Sequence, residues 1–438
     1  MPAQSELFTV QTPDTARARL WEAMGMIVVQ TERVATAHAL RRVLASDVHS
    51  QEDLPAFDRS AVDGYAVIAA DTHGASAGLP ALLTVMGEAA MGQPTHIAVQ
   101  TGQAVLIHTG GMVPADADAV VMVEHTQSVT PHQTSVTNSP FSILHFSNSL
   151  NASIEVMRPV AAGENIIKQG EDMRIGGVVL PRGQILRPQD IGGLMALGMT
   201  EIDVARQLHV GLISSGDEVV APTMQPTIGQ VRDVNAYALA AAVQRSGGVP
   251  VQYGIVPDDF AQLRAMATRA KAECELVVLS AGSSVSVRDM SVTVIGELGQ
   301  PGVLVHGVSV KPGKPTIIAL CDGVPVFGLP GNPASALVIF DLFVAPTLRR
   351  MMGANVDTQS ALPRPQVQAR LTRNIPSTTG REDYVQVALE QTGTGEWQAT
   401  PIFGKSNLIF TLIQAHGTVQ VPIDVSGYRA GDVVTVWL

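Results

Sequence analysis

Residues 307–336, GVSVKPGKPTIIALCDGVPVFGLPGNPASA, constrain this chain more than any other stretch. They hold two tight turns, Lys311-Pro312-Gly313-Lys314-Pro315 and Gly328-Leu329-Pro330-Gly331-Asn332-Pro333. Between the turns lie two short apolar runs, 316–320 and 324–327, and residues 334–347 then read as a helix. A glycine-rich turn between a strand and a helix start leaves backbone N–H groups free at the positive end of the helix dipole. Proline fixes φ and removes donors, so such turns are stiff. A stiff, donor-rich, cationic loop suits an oxyanion or a phosphate. A rigid β-turn before an ordinary helix has the same signature, so one loop leaves both readings open.

The length of 438 residues is too great for one core and suggests about three domains. Hydrophobic residues make up 46%, enough for sizeable cores and against disorder. Lys and Arg total 28 against 39 Asp and Glu, a net charge of −11, which argues against a nucleic-acid partner. Local lysines can still draw a small anion. Cys274 and Cys321 sit in no CxxC pair, so neither a disulfide framework nor a structural zinc site is expected. No signal-peptide core shows in residues 1–20, and no apolar run reaches the ~18 residues of a membrane span. These features point to a cytoplasmic protein with no membrane partner. The sequon at Asn151 then reads as chance.

Along the chain, residues 14–30 read as a helix capped by Asp14, and residues 36–44 as a second helix. From Phe57 to about residue 156 short apolar runs alternate with turns, the pattern of a mainly β region. Residues 125–153, rich in Ser, Thr and Asn, read as long hairpin loops. At His209 the pattern changes to strands alternating with helices. Helices are expected at 188–197, at 236–245, from an Asp258 cap to Ala272, and at 290–298, with Asp233 and Asn235 as caps. Such alternation implies a doubly wound parallel sheet, in which ligands bind beyond the carboxyl ends of the strands. The turns at 215–218, 281–286 and 328–333 all fall at such ends. Beyond residue 354 the pattern is β again, long enough for a small barrel. His108, His125 and His209 have no second ligand at metal spacing and are expected to pack. Carboxylates at turns beside phosphate-type loops suggest Mg²⁺ bridging to an anionic substrate, since magnesium uses one or two carboxylates plus phosphate oxygens.

Six motifs carry a resemblance that spans nearly the whole chain: FDRSAVDGYAV (57–67), HTGGMVPADADAVVMVE (108–124), GENIIKQGED (163–172), LISSGDEV (212–219), KPGKP (311–315) and GLPGNPASA (328–336). GREDYVQV (380–387) adds the C-terminal region. With them the chain resembles the molybdopterin molybdenumtransferases, the MoeA and gephyrin E-domain family. The resemblance implies an α/β multidomain fold: a doubly wound, MogA-like α/β domain at 206–353, two further domains and a C-terminal small β-barrel at 354–438. The two further domains are a mainly β domain at 51–156 and a discontinuous mixed α/β domain built from 1–50 and 157–205. It implies the last step of molybdenum cofactor synthesis, in which adenylylated molybdopterin and molybdate give the cofactor and AMP with Mg²⁺. It also implies a homodimer with the active site shared between subunits, and other cofactor-biosynthesis proteins as partners.

Residue by residue, the resemblance makes Asp63, Asp172, Glu218, Asp258 and Asp289 catalytic, with Glu218, Asp258 and Asp289 as metal ligands. It assigns substrate contacts to Thr109, Ser283, Ser284, Lys311, Lys314, Pro330, Gly331, Asn332, Pro333 and Ser406. The chain departs from the family at SAGSSVSVRD (280–289), where many members read SGGVSVGxxD, and at Gly404-Lys405-Ser406-Asn407, where a GQGS-like turn is common. Two other readings remain open at this stage. The segment 276–299 also resembles the related adenylyltransferases, and the gephyrin E domain serves as a non-catalytic scaffold.

Overall fold

The computed structural model describes residues 10–129, 152–281, 285–355, 365–393 and 395–438, with only the backbone for 285–288. The chain forms two compact units. One comprises Met1–Ser46, Pro181–Gly192 and Met199–Leu438, and the other Asp47–Leu180 and Gly193–Gly198.

The larger unit contains an α/β sheet. Its elements in order are β1 (His209–Ser215), α1 (Asn235–Arg245), β2 (Val249–Val256), α2 (Phe260–Glu273), β3 (Leu276–Ala281), α3 (Val285–Gly296), β4 (Pro301–His306), β5 (Val310–Lys311), β6 (Ile317–Cys321), β7 (Val324–Pro330) and α4 (Pro333–Ile339). The six-stranded sheet runs β2-β1-β3-β7-β6-β4. β2, β1, β3 and β7 are parallel. Every residue of β3 is buried, as a strand covered by helices on both faces must be.

The sheet is therefore mixed, not wholly parallel. β6 and β7 are joined by Asp322 and Gly323 alone, at φ 51° and 86°. A two-residue link with positive φ at both positions closes only an antiparallel hairpin. β4 pairs antiparallel with β6 in turn. The two apolar runs of the 307–336 stretch are this hairpin.

Five more strands close the barrel: β8 (Gln366–Leu371), β9 (Glu382–Gln391), β10 (Trp397–Pro401), β11 (Gly417–Val421) and β12 (Val433–Trp437). The ring runs β9-β10-β8-β12-β11 and returns to β9, so these strands have no free edge. Leu371, Val387, Leu389, Val419 and Val436 fill it. Alternation along each strand aims them inward.

Four local expectations fail. The first helix is Pro13–Met24. Its cap is Thr12, whose hydroxyl accepts from Thr15 N–H at 3.2 Å, and Gly25 at φ 59° ends it. Residues 36–44 form only a 3₁₀ turn, Thr36–His38. There Thr31–Ala35 pairs with Glu201–Ala205, and the N–H groups of Arg41 and Leu44 donate to Leu186 and Gln184. Tertiary pairing has outbid helix propensity. The cap of α2 is Asp259, not Asp258, and α3 begins at Val285, earlier than expected.

The smaller unit carries a six-stranded sheet in the order Ala119–Met122, Gly64–Val67, Gln103–Ile107, Ala81–Ala89, Ser153–Val156, Thr126–Val129. Tyr65 and Val67 enter one core and Ala66 another, so the sheet is buried on both faces. Apart from their ends at Thr126–Val129 and Ser153–Val156, the expected hairpin loops of 125–153 lie outside the described residues, as does Asn151.

A Cβ on Gly64 would lie 1.9 Å from the Val121 carbonyl oxygen. Gly64→Ala is expected to lower the stability of the smaller unit by about 1–3 kcal/mol, the usual cost of overpacking. Urea unfolding followed by circular dichroism measures it.

Candidate functional site

Both turns of the 307–336 stretch are fixed from outside. β5 adds to the barrel as a parallel strand, with Lys311 opposite Asp383 of β9. Gly313 sits at φ 119°, and a Cβ there would lie 2.5 Å from the Ile339 side chain. The Gly313 carbonyl accepts from Thr316 Oγ1 at 2.6 Å. The Lys314 carbonyl accepts from the N–H groups of Val308 and Thr316, both at 2.9 Å. The backbone is locked while both lysine side chains stay exposed.

In the second turn Pro330 ends β7, and Asn332 occupies the cap position of α4 without a side-chain bond. Asn235 Nδ2 donates to the Gly331 carbonyl and to Ser280 Oγ, each at 2.8 Å. Asn235 thus ties β3's end to β7's end instead of capping its own helix; Asp233 does that, accepting from Ala236 N–H at 3.0 Å. Ala334 N–H donates to the Ser406 carbonyl at 3.1 Å. With that bond made and prolines at 330 and 333, the turn offers fewer free donors than its sequence suggests.

These turns border a cavity of about 950 Å³. Lys311, Lys314, Arg381 and Lys405 line it, against a single carboxylate, Asp383. In a chain of net charge −11 this is a local balance of four minus one, or +3. Asp383 is only 2% exposed. Its oxygens meet Arg381 Nε at 2.8 Å and Lys311 Nζ at 3.7 Å. Tyr384 also faces the cavity, and its hydroxyl donates to Glu382 at 2.6 Å. Burial, reinforced by that carboxylate, pushes the phenol up, so it remains a donor.

Of the residues expected to bind substrate, Lys311, Lys314, Pro330, Asn332 and Ser406 border this cavity. Gly331 and Pro333 shape the turn instead of lining it. Ser283 and Ser284 lie outside the described residues. Asp289 is exposed on α3. Glu218 and Asp258 follow β1 and β2, on the edge where the 215–218 and 328–333 turns also emerge. Asp258 Oδ1 accepts from Ser215 Oγ at 2.9 Å, and Asp217 Oδ1 accepts from Asp258 N–H at 3.0 Å. Among the described residues no three His, Cys, Asp or Glu converge as metal ligands.

Sequence reasoning passed over Arg381 as a site residue. The signal was available: strand alternation puts 381 and 383 on one face, immediately after a Gly380 turn. Each of the three histidines is half-buried beside a polar partner. His108 Nε2 lies 3.1 Å from Glu88, His125 Nε2 lies 3.1 Å from Arg158, and His209 Nδ1 lies 3.7 Å from Glu275.

On the smaller unit, Asp63 and Thr109 are brought together from motifs 46 residues apart. Asp63 Oδ1 accepts from Thr109 N–H at 2.7 Å and from its Oγ1 at 3.0 Å. Asp172 is exposed, its N–H donating to the Leu54 carbonyl at 3.0 Å.

Three family descriptions match the chain. Residues 11–198 match the MoeA N-terminal region (domain I and II), residues 211–350 a probable molybdopterin binding domain, and residues 368–438 the MoeA C-terminal region (domain IV). Molybdopterin molybdenumtransferase 2 of Mycobacterium tuberculosis is 33% identical, over 90% of this chain and 92% of its own. The molybdopterin molybdenumtransferase of Haemophilus influenzae is 31% identical, over 97% and 98%. The crystal structure of the molybdopterin biosynthesis moeA protein from Pyrococcus horikoshii OT3 superposes with a TM-score of 0.78 at 32% identity, covering 98% of this chain and all of that one.

The Thr109 N–H, with a smaller contribution from its hydroxyl, holds the Asp63 carboxyl below its ordinary value of 3.8. A depressed carboxyl stabilises the fold above the unfolded value, and that contribution is lost as pH falls through the folded one. The Asp63 carboxyl resonance is therefore expected to titrate below 3.8, and Thr109→Val to move its midpoint upward. A midpoint unmoved in Thr109→Val would remove the hydroxyl from this account.

Proposed function

The chain belongs to the MoeA family, and on that premise we propose that it inserts molybdenum into adenylylated molybdopterin, consuming molybdate and releasing AMP. The observation that carries this reading is the four-cation cavity with its one buried carboxylate. Molybdate is a tetrahedral dianion. Compact ammonium groups on a fixed turn suit such an ion as point charges, and the planar Arg381 suits a phosphate. Lys311 and Lys314 hold the oxyanion, while Lys405 and Ser406 border the same space. Asp383 orients Lys311 and Arg381. The positions are set before substrate arrives, so binding spends little on ordering them.

Mg²⁺ fits the donor chemistry of Glu218, Asp258 and Asp289. These are hard oxygen ligands, and magnesium needs only one or two from protein beside phosphate oxygens. When bound it would neutralise charge on the phosphoanhydride. In this reading the chain works as four domains, residues 1–50 with 157–205, 51–156, 206–353 and 354–438. It acts as a homodimer in the cytoplasm. Asp63, Thr109 and Asp172 of one subunit complete the site of the other.

AMP release from adenylylated molybdopterin is expected to require molybdate and to fall by about 10²-fold or more in Lys311→Ala or Lys314→Ala, as for loss of a preorganised charge. ATP consumption with pyrophosphate release would instead identify an adenylyltransferase.

A shared site has its own signature. Asp63→Asn and Lys311→Ala should each be inactive, yet mixing them through dissociation and reassociation should recover about a quarter of wild-type activity, since half the dimers carry one intact site. No recovery in verified mixed dimers would place Asp63 in the site of its own chain.

A further inference from the structure

The larger unit holds a second cavity, of about 630 Å³, which shares Gln386 and Leu412 with the first as a common wall. Its charged lining is of another kind. Arg41, Arg187, Arg245 and Arg349 line it together with one aspartate, Asp341, and the terminal residue Leu438. It lies at the C-terminal turn of α1, whose carbonyls contribute roughly half a negative charge.

Two of the arginines are committed to carboxylates: Arg187 to Asp190 at 2.9 Å, and Arg245 to Asp341. Arg41 is not, and its side chain has no partner among the described residues. Its backbone is pinned by the bond from its N–H to the Leu186 carbonyl and held at φ 65°, a region that side-chain-bearing residues seldom adopt. Glycine would relieve that strain, yet arginine stands there.

Ser246 supplies an independent observation. It borders the cavity, is 5% exposed, and its Oγ has no hydrogen-bond partner. Buried hydroxyls are normally paired, so an orphan in the wall of a cavity leaves a polar atom that a ligand could satisfy. His416 also lines the space. Its Nδ1 accepts from Leu389 N–H at 3.1 Å, which puts the ring proton on Nε2 as a further donor. Trp437 and Leu186 give the same cavity an apolar side.

Arginine's planar fork matches phosphate oxygens in pairs, whereas the first cavity relies mainly on lysine. We propose that this second cavity binds a small organic phosphate, with Arg41 and Ser246 supplying its recognition and Trp437 meeting the organic group. The site is separate from the molybdate-handling one and does not depend on that assignment.

The probe is AMP, titrated calorimetrically into the Lys311→Ala/Lys314→Ala/Arg381→Gln triple variant, which removes from the first cavity both the lysines assigned to molybdate and the arginine assigned to phosphate. About one AMP per chain should still bind, as a single built pocket requires. Adding Arg41→Gly should weaken that binding by about tenfold or more without lowering the melting temperature, because glycine accepts the positive φ. Ser246→Ala should weaken it several-fold. The proposal is overturned if the triple variant binds no AMP, if Arg41→Gly leaves the affinity unchanged, or if inorganic phosphate binds as tightly as AMP. Molybdate-dependent AMP release reports on the first cavity alone, so the two readings fail separately.

Discussion

One buried carboxylate organises the cationic cavity. Asp383 is almost wholly removed from water and holds Arg381 on one oxygen and Lys311 on the other. Its backbone is paired with that of Lys311, so the same residue fixes the lysine turn through both main chain and side chain. Like-charged groups repel when gathered, and burying a carboxylate unpaired is costly. Each problem is solved by the other here. One carboxylate against four cations leaves the cavity lining a net side-chain charge of +3. The acidic net charge of the whole chain makes that positive pocket stand out electrostatically, and a walled cavity concentrates its field.

The barrel is what delivers that carboxylate. β9 belongs to the closed ring and also carries β5 as an added strand, while the Ser406 carbonyl takes the Ala334 N–H at the start of α4. Both turns of the 307–336 stretch are therefore held by the C-terminal region. The family expectation of a C-terminal small barrel thus gains a physical purpose: it completes the cavity whose turns the α/β sheet only begins.

Much of this was legible in sequence, for physical reasons. The β strands announce themselves because alternation is imposed by the pleat, and α1, α2 and the turns between them are punctuated by glycine and capping residues. Lys311 and Lys314 stood out because charge between prolines has little packing use. The failures share a cause: they depend on partners distant in the chain. Residues 36–44 have helical composition but spend their N–H groups on segments about 150 residues away. Asp258 looks as good a cap as Asp259, and only the structure shows Asp258 bonded to Ser215. Asn235 resembles a cap and serves as a strut between strand ends. Arg381 lay inside a recognised motif, but its importance depends on a cavity that no local window reveals. The Asp-Gly pair at 322–323 was the exception, a local hairpin signal sufficient to exclude a wholly parallel sheet.

The contact between Gly313 and Ile339 has a consequence of another sort. Ile339 is fully buried and does not itself line the cavity, yet its side chain is the surface on which the lysine turn rests. Interior positions are commonly regarded as interchangeable among aliphatic residues of similar volume. Position 339 answers to a second criterion, since a change of branching there would leave the core filled and still displace two charges. The boundary between structural and functional residues runs through this side chain: by position it belongs to the scaffold, and by effect to the chemistry.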